Sequence, residues 1–464
     1  MDGISVGGRE AVKSSRKAPA KKSKRAAKPV KSSFKLKNNI RFVTATSLFD
    51  GHDAAINVMR RMIQGTGAEV IHLGHNRSVE EIISAAIDED VQGIAISSYQ
   101  GGHIEFFQYM IDLLKQRGAG HIKVFGGGGG VIVPEEVRAL HKYGVSRIYT
   151  PEDGQAMGLP GMIEDLVGRA DFDLSKKLPK TLAKLKKGDR GVLARLITGL
   201  EAGTLSKTMR KDLTALAKKR SGVNAAGVPV VGITGTGGAG KSSLTDEVVR
   251  RLRTDQPDMK IAIVAVDPSR RKSGGALLGD RIRMNAIDRF PGNGSVYLRS
   301  LATRGSGSEL AACLPGAIAA CKAAGYDFVL VETSGIGQGD AAIVPFVDLT
   351  IYAMTPEYGA ASQLEKIDML DFADLVAINK FDRKGARDAF RDVRKQYQRN
   401  HELFAQTVDE MPVFGTIASK FNDDGVTALY HGILGALADR GLAQLSSALP
   451  DNPNKCSSRQ DFIV

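Results

Sequence analysis

Short apolar runs alternate along the chain with segments in which apolar residues recur every three or four positions. From Ile40 to about Arg169 five runs appear, at Ile40–Ser47, Glu69–Leu73, Gly93–Ser97, Ile122–Phe125 and Arg147–Tyr149. The segments between them, such as Ala54–Ile63 and Glu80–Ile87, carry the helical period. Strands separated by helices predict a parallel, doubly wound sheet with ligand sites at the strand C-termini. From Asp171 to Gly222 the pattern is helical throughout and rich in Lys, Leu and Ala, which predicts a connector. A second strand–helix alternation starts at Pro229 and runs to about Leu437. Its strands are expected near Val230–Ile233, Ala262–Val266, Phe328–Val331, Leu349–Ala353 and Leu375–Asn379. The fold class is therefore α/β, with two doubly wound parallel-sheet domains joined by a helical linker. The expected divisions are a leader (1–38), a first domain (39–170), the linker (171–225), a second domain (226–440) and a polar tail (441–464).

Charge changes this picture only at the N-terminus. The 464 residues carry a formal net charge of +13, but most of the excess sits in the first 37, a Lys/Ala/Ser-rich stretch with few apolar residues. Such a stretch is expected to be a solvated, disordered leader rather than a nucleic-acid arm. It lacks the apolar core of a signal peptide, and no run of 18 or more apolar residues marks a membrane span. Cys313, Cys321 and Cys456 have no C-x-x-C spacing and suit a reducing cytoplasm.

The strongest chemical signal is Gly235-Thr-Gly-Gly238-Ala239-Gly240-Lys241-Ser242-Ser243, with a strand before it and a helical pattern after it. In that setting G-x-x-x-x-G-K-S turns successive backbone N–H groups toward phosphate oxygens and adds the positive end of a helix. Lys241 is expected to reach the β- and γ-phosphates, and the Ser242 hydroxyl to ligate Mg2+. The strand Leu375–Ile378 runs into Asn379-Lys380-Phe381-Asp382. The Asp382 carboxylate is suited to the paired N1–H and 2-amino donors of guanine, a pair that adenine lacks. Ala418-Ser419-Lys420 offers a further base contact or a plain surface turn. Asp267 and Glu332 each end a strand, where a Mg2+ ligand belongs. Asp280 and Thr333 are further candidate Mg2+ ligands and Arg283 a candidate nucleotide contact, all within the two segments expected to switch, Asp267–Arg283 and Glu332–Gln338, and Gln338 is the candidate for hydrolysis.

In the first domain, the loop after the first strand reads Asp50-Gly-His52-Asp-Ala-Ala55. A His oriented by a carboxylate is a tuned metal ligand. Ser97 ends the third strand, and Gly126 to Gly130 follow the fourth, leaving room for a long, thin group between sheet and helices.

Residues 40–169 resemble the flavodoxin-like cobalamin-binding domain of acyl-CoA mutases, whose D-x-H-x-x-G, S-x-L and G-G signatures match Asp50/His52, Ser97 and Gly126–Gly127. Ala55 stands where the motif has Gly, and Tyr99 where it has Leu. The resemblance implies that His52 binds cobalt from the lower face in place of dimethylbenzimidazole, with adenosylcobalamin's tail along the glycine-lined groove. Residues 172–437 resemble the GTPase chaperones of those mutases, through the P-loop, V-D-P-S-R, G-G-A-L-L-G-D-R-I-R-M, L-R-S-L-A-T-R-G, V-E-T-S-G-I-G-Q and N-K-F-D. The order of parts is similar to that of the fused isobutyryl-CoA mutases of bacteria. In that family a substrate-binding barrel follows, which these residues do not include.

What the resemblance implies is a GTP-hydrolysing chaperone joined to a cobalamin carrier, using GTP, Mg2+ and adenosylcobalamin. Its partner would be the substrate-binding domain or subunit of an acyl-CoA mutase, and a homo-oligomer in the cytoplasm is expected. Two other classes compete: a non-enzymatic module responsive to cobalamin and nucleotide, and a P-loop kinase.

Overall fold

The strand-forming runs and helical segments alternate as expected in the computed structural model, which describes residues 34–220, 227–287, 295–304, 310–335, 340–359 and 361–459. The leader lies outside the described residues up to position 33. The chain divides into two units, Met1–Lys35 and Leu36–Val464, and both sheets belong to the second.

Strands β1 (Arg41–Ser47), β2 (Glu69–Arg77), β3 (Gly93–Ser97), β4 (Lys123–Gly127) and β5 (Arg147–Tyr149) pair in parallel. Helices α1 (Asp53–Gly65), α2 (Val79–Asp88), α3 (His103–Gln116), α4 (Pro134–Tyr143) and α5 (Pro151–Arg169) follow the strands in turn. Local chemistry sets the helix starts: the Ser78 hydroxyl accepts from the Glu81 N–H while the Glu81 carboxylate accepts from the Ser78 N–H, a reciprocal cap on α2. The strand order β5-β4-β3-β1-β2 reverses direction between β1 and β3. The loops after those two strands therefore diverge and open a crevice.

The linker is helical, with α6 (Ala183–Lys186), α7 (Arg190–Glu201) and α8 (Lys207–Lys219). The second sheet is built from β6 (Val230–Gly235), β7 (Ile261–Asp267), β9 (Val296–Ala302), β10 (Phe328–Glu332), β11 (Leu349–Met354), β12 (Leu375–Asn379) and β13 (Val413–Thr416). Their order is β13-β12-β11-β6-β10-β7-β9, with every pairing parallel. The strand missing from that list, β8 (Ala276–Leu278), crosses to the first sheet. It pairs in parallel with β2, Glu69 opposite Ala276 and Ile71 opposite Leu278, and becomes the sixth strand there. The sequence reading puts this stretch in a switch loop, because three apolar residues flanked by glycines look like a loop. Gly275 permits the crossing: a Cβ there would stand 2.2 Å from the Gln64 carbonyl oxygen. Strand β9 is likewise absent from the sequence reading.

Apolar packing and a buried ionic network join the parts. Leu193, Leu196 and Ile197 of α7 and Leu213 of α8 share a core with Val264, Val329 and Leu314, so the linker covers one face of the second sheet. Ala276, Leu278 and Ala302 belong to the core of the first domain. Arg41 on β1 pairs with Glu69 at 2.7 Å and with Glu201 of α7 at 2.9 Å. Arg304, after β9, reaches Glu69 at 2.7 Å, and Asp88 holds Arg190 and Arg281. Burial opposes the Glu69 charge, but Arg41 and Arg304 outweigh it and hold the carboxyl down to about 2. For Glu89 burial wins over its neighbouring arginines and pushes the carboxyl up. Removing one member of such a network strands a buried charge, which costs about 3–5 kcal/mol.

The tail is not loose. Leu445 and Leu449 pack on the core of the second domain, and the Ser457 hydroxyl donates to Asp423 at 2.6 Å. The Ser457 N–H also bonds the Gly415 carbonyl on β13.

Candidate functional site

Strand β6 delivers the P-loop and helix α9 (Lys241–Asp255) begins at its end. Gly240 caps that helix in the left-handed region, at φ 86°. A Cβ on Gly240 would stand 2.6 Å from the Asn379 amide nitrogen, and one on Gly235 would stand 1.9 Å from the Ala353 carbonyl oxygen. Backbone, not side chain, therefore has to fill both places. The Lys241 ammonium donates to the carbonyls of Gly235 and Thr236 at 3.0 and 3.2 Å, folded back over the loop that it serves.

The Ser242 hydroxyl donates to the Glu332 carboxylate at 2.6 Å, and the Thr245 hydroxyl to its other oxygen at 3.0 Å. Glu332 is thus held one hydrogen bond from the serine expected to ligate Mg2+. Thr245 is a residue that the sequence reading missed, although it lies one helical turn after Lys241. The Thr333 hydroxyl instead donates to Thr234 at 2.8 Å, inside the sheet. Lys241, Ser242, Asp267, Glu332, Thr333 and Arg283 line one cavity of about 400 Å³ together with Gly238 and Gly240. The structure brings these sequence-chosen residues together. Two further lining residues, Arg60 of α1 and His72 of β2, come from the first domain, and sequence reasoning did not find them. The side chain of Asp280 and all of Gln338 lie outside the described residues.

Asn379 acts as a tie. Its amide donates to the Ala239 carbonyl at 2.7 Å, and its oxygen accepts from the Ala418 N–H at 3.0 Å and the Thr416 hydroxyl at 3.2 Å. One buried amide thus fixes the P-loop, the N-K-F-D turn and the loop bearing Ser419. Lys380 takes the left-handed conformation at φ 58°, Asp382 is half-buried and Ser419 is exposed. Ser243 follows Ser242 in the first turn of α9. The cradle fits a polyphosphate with Mg2+: the glycines leave space for it, and the Ser334 and Thr236 side-chain oxygens are buried without a hydrogen-bond partner among the described residues. No three His, Cys, Asp or Glu side chains form a metal cage among the described residues. A Mg2+ ion here would take its remaining oxygens from phosphate and water.

The first domain presents a second site at its crevice. Asp50 is buried, and one of its oxygens accepts from both the N–H and the Nδ1 of His52 at 2.9 Å. The other oxygen accepts the Tyr99 N–H at 2.6 Å. Burial opposes the Asp50 charge, yet the N–H groups of Tyr99 and His52 hold its carboxyl below the usual range. The imidazole is 77% exposed, with Nδ1 occupied by Asp50 and the opposite nitrogen available to a metal. Tyr99, whose ring centroid lies 5.6 Å from that of His52, lines an apolar cavity of about 330 Å³ with Ala55, Met59, Ser97, Gly126, Gly127 and Tyr149 among others. The glycines serve packing as well as space. A Cβ on Gly126 would meet the Phe107 ring at 2.4 Å, and one on Gly128 would meet the Ser98 carbonyl oxygen at 1.9 Å. A carboxylate-held His, with Ala55 and Tyr99 beside it lining an apolar groove, fits a metal-centred ring with a long tail.

Fold and sites together define a P-loop nucleotide-binding domain coupled to a doubly wound carrier domain. The chain belongs to the methylmalonyl-CoA mutase-associated GTPase MeaB family, whose model matches residues 193–439, and a B12-binding domain model matches residues 40–154. It is 64% identical to the fused isobutyryl-CoA mutase of Cupriavidus metallidurans over 92% of its length and 38% of that protein. With the fused isobutyryl-CoA mutase of Nocardia farcinica it shares 60% identity over 92% of its length and 39% of the relative. The mitochondrial methylmalonic aciduria type A homolog of Mus musculus is 34% identical over 43% of this chain and 48% of its own. The chain thus spans about two fifths of the length of the fused mutases. A MeaB-type GTPase domain and a B12-binding domain on one polypeptide is the arrangement those mutases have. No described helix is long and apolar enough to cross a membrane.

Proposed function

We propose that this chain binds and hydrolyses GTP with Mg2+, and that nucleotide state gates the loading or retention of adenosylcobalamin for an isobutyryl-CoA mutase. The single observation that carries the reading is that both sites are walled by one helix, α1. Ala55 and Met59 line the apolar cavity of the first domain, while Arg60 lines the P-loop cavity.

The chain's own groups divide the work. The P-loop N–H groups and Lys241 bind the phosphates and offset the charge that develops in transfer to water. Ser242, with Glu332 and Asp267 nearby, would hold Mg2+, which would supply further positive charge at the phosphates. Asp382 would select guanine, and Ser419 would add a base contact. Gln338 is the candidate for orienting the attacking water. In the first domain, Asp50 fixes the His52 ring, whose free nitrogen would hold cobalt, and Ser97, Gly126 and Gly127 border the groove that would take the nucleotide tail. Bound adenosylcobalamin supplies the radical chemistry of the rearrangement. Acyl-CoA would bind on the barrel domain or subunit of the mutase, in a homo-oligomer. Three cysteines without disulfides support a reducing, cytoplasmic setting.

The test pairs two assays on the same preparation. GTP turnover that is lost in Lys241→Ala, together with a histidine-bound cobalamin spectrum that is lost in His52→Ala, is the expected result. Nucleotide binding with negligible turnover would move the chain to the class of responsive binding modules.

A further inference from the structure

Helix α1 is a partition between two cavities. Ala55, Met59 and Ile63, spaced four apart, form the face toward the apolar groove. Arg60 lies off that face and lines the P-loop cavity, although it belongs to the domain that carries His52. His52 is the N-cap of the same helix, eight residues earlier, or about 12 Å along the axis.

The Arg60 side chain is held but not used up. Its Nε donates to the Asn57 side-chain oxygen at 2.8 Å, and Asn57 in turn donates to Asp53 at 3.1 Å. Neither terminal guanidinium nitrogen has a hydrogen-bond partner among the described residues. Burial and the neighbouring Arg61 both work against its positive charge. Lys241 and Arg283 line the same cavity. A half-buried guanidinium with free donors, in a cavity that already gathers cations, is built to receive a polyanion. Its cavity neighbours Asp267, Glu332 and Ser334 lie at the strand ends beyond the P-loop, where the terminal phosphate belongs.

We propose that Arg60, supplied by the cobalamin domain, is a phosphate-contacting residue of the GTPase site and acts at the γ-phosphate end. The inference rests on the reading of the P-loop cavity as a guanine-nucleotide site. It makes the nucleotide site incomplete without the cobalamin domain. The edge pairing of β8 with β2 is what holds that domain in register, since β8 lies in the loop between Asp267 and Arg283. Guanidinium groups placed on a transferring phosphoryl group act mainly on the charge that grows in the transition state.

The experiment compares wild type, Arg60→Ala and Arg60→Gln, with Arg61→Ala as the neighbouring-charge control and Lys241→Ala marking the P-loop. Fluorescent GTP and GDP analogues report affinity, and single-turnover GTP hydrolysis reports rate. Gln keeps the stem and a bond to Asn57, so it serves if the Ala variant does not fold. We expect either substitution to slow hydrolysis at least tenfold and to weaken the GTP analogue more than the GDP analogue, while Arg61→Ala leaves both unchanged. Folded Arg60 variants with wild-type rate and wild-type preference for GTP overturn the inference and leave the P-loop reading intact. Wild type that binds neither analogue brings down both.

Discussion

Glu69 on β2 and Arg304 after β9 lie 235 residues apart in sequence, and their side chains meet at 2.7 Å. The same carboxylate also holds Arg41 at 2.7 Å, so one acidic group binds a cation from each domain. Glu201 of the linker, in contact with Arg41, Arg299 and Arg304, completes the joint. The two domains are therefore fixed by charges that neither could bury alone.

Glu69→Gln leaves the buried Arg41 and the half-buried Arg304 short of a partner. A loss of about 3–5 kcal/mol in stability is expected, with separation of the two domains before either sheet melts. Denaturant unfolding followed by limited proteolysis checks this. An unchanged midpoint with an unchanged cleavage pattern would mean that the network is ornamental.

Acid should act at the same joint. The folded Glu69 carboxyl is held down to about 2, below its unfolded value, so its contribution is fully present above the ordinary glutamate range. It is lost as pH falls from there toward about 2. Glu89 has the opposite sign, because burial raises its carboxyl. Comparing wild type with Glu69→Gln isolates the first effect: the variant should lose part of the fall in stability below about pH 4.5. Parallel stability–pH curves would contradict the assignment.

The P-loop prediction is steric. Gly240→Ala demands φ 86° of an alanine and places its Cβ 2.6 Å from the Asn379 amide. Strain of about 1–3 kcal/mol and a displaced Asn379 tie are expected, with nucleotide affinity at least tenfold weaker by fluorescence titration. Affinity equal to wild type would show that the loop has another way to close.

Asp50 is expected to act through His52. Asp50→Ala removes the group that orients the imidazole, and cobalamin affinity should fall about 10- to 100-fold. The visible spectrum at saturation should still show histidine ligation, since the ligand itself remains. A variant as tight as wild type would leave Asp50 with only its loop-bracing bond to Tyr99.

Most of the fold was legible because period and run length report local geometry. The five strands of the first domain fall close to their apolar runs, and the P-loop, N-K-F-D and D-x-H segments all stand at strand ends. What stayed hidden depends on which sheet edge a short segment chooses. Ala276–Leu278 has the composition of a loop, and only the free edge at β2 makes it a strand. Arg60 and His72 were missed for the same reason: their own sequence neighbourhoods belong to the cobalamin domain, and nothing local marks the nucleotide cavity that they face. Gly126 was read as room for a ligand; it lines the apolar cavity, and its Cβ direction also points at Phe107. Motif spacing identifies such a glycine without revealing which neighbour requires it.

The most direct measurement is calorimetric titration of adenosylcobalamin into the chain, first nucleotide-free and then saturated with a non-hydrolysable GTP analogue. Because α1 walls both cavities and β8 ties the loop between Asp267 and Arg283 to the first sheet, the two affinities should differ by at least about fivefold. Identical affinities and enthalpies in the two titrations would contradict the account, leaving two sites that share a chain but not a function.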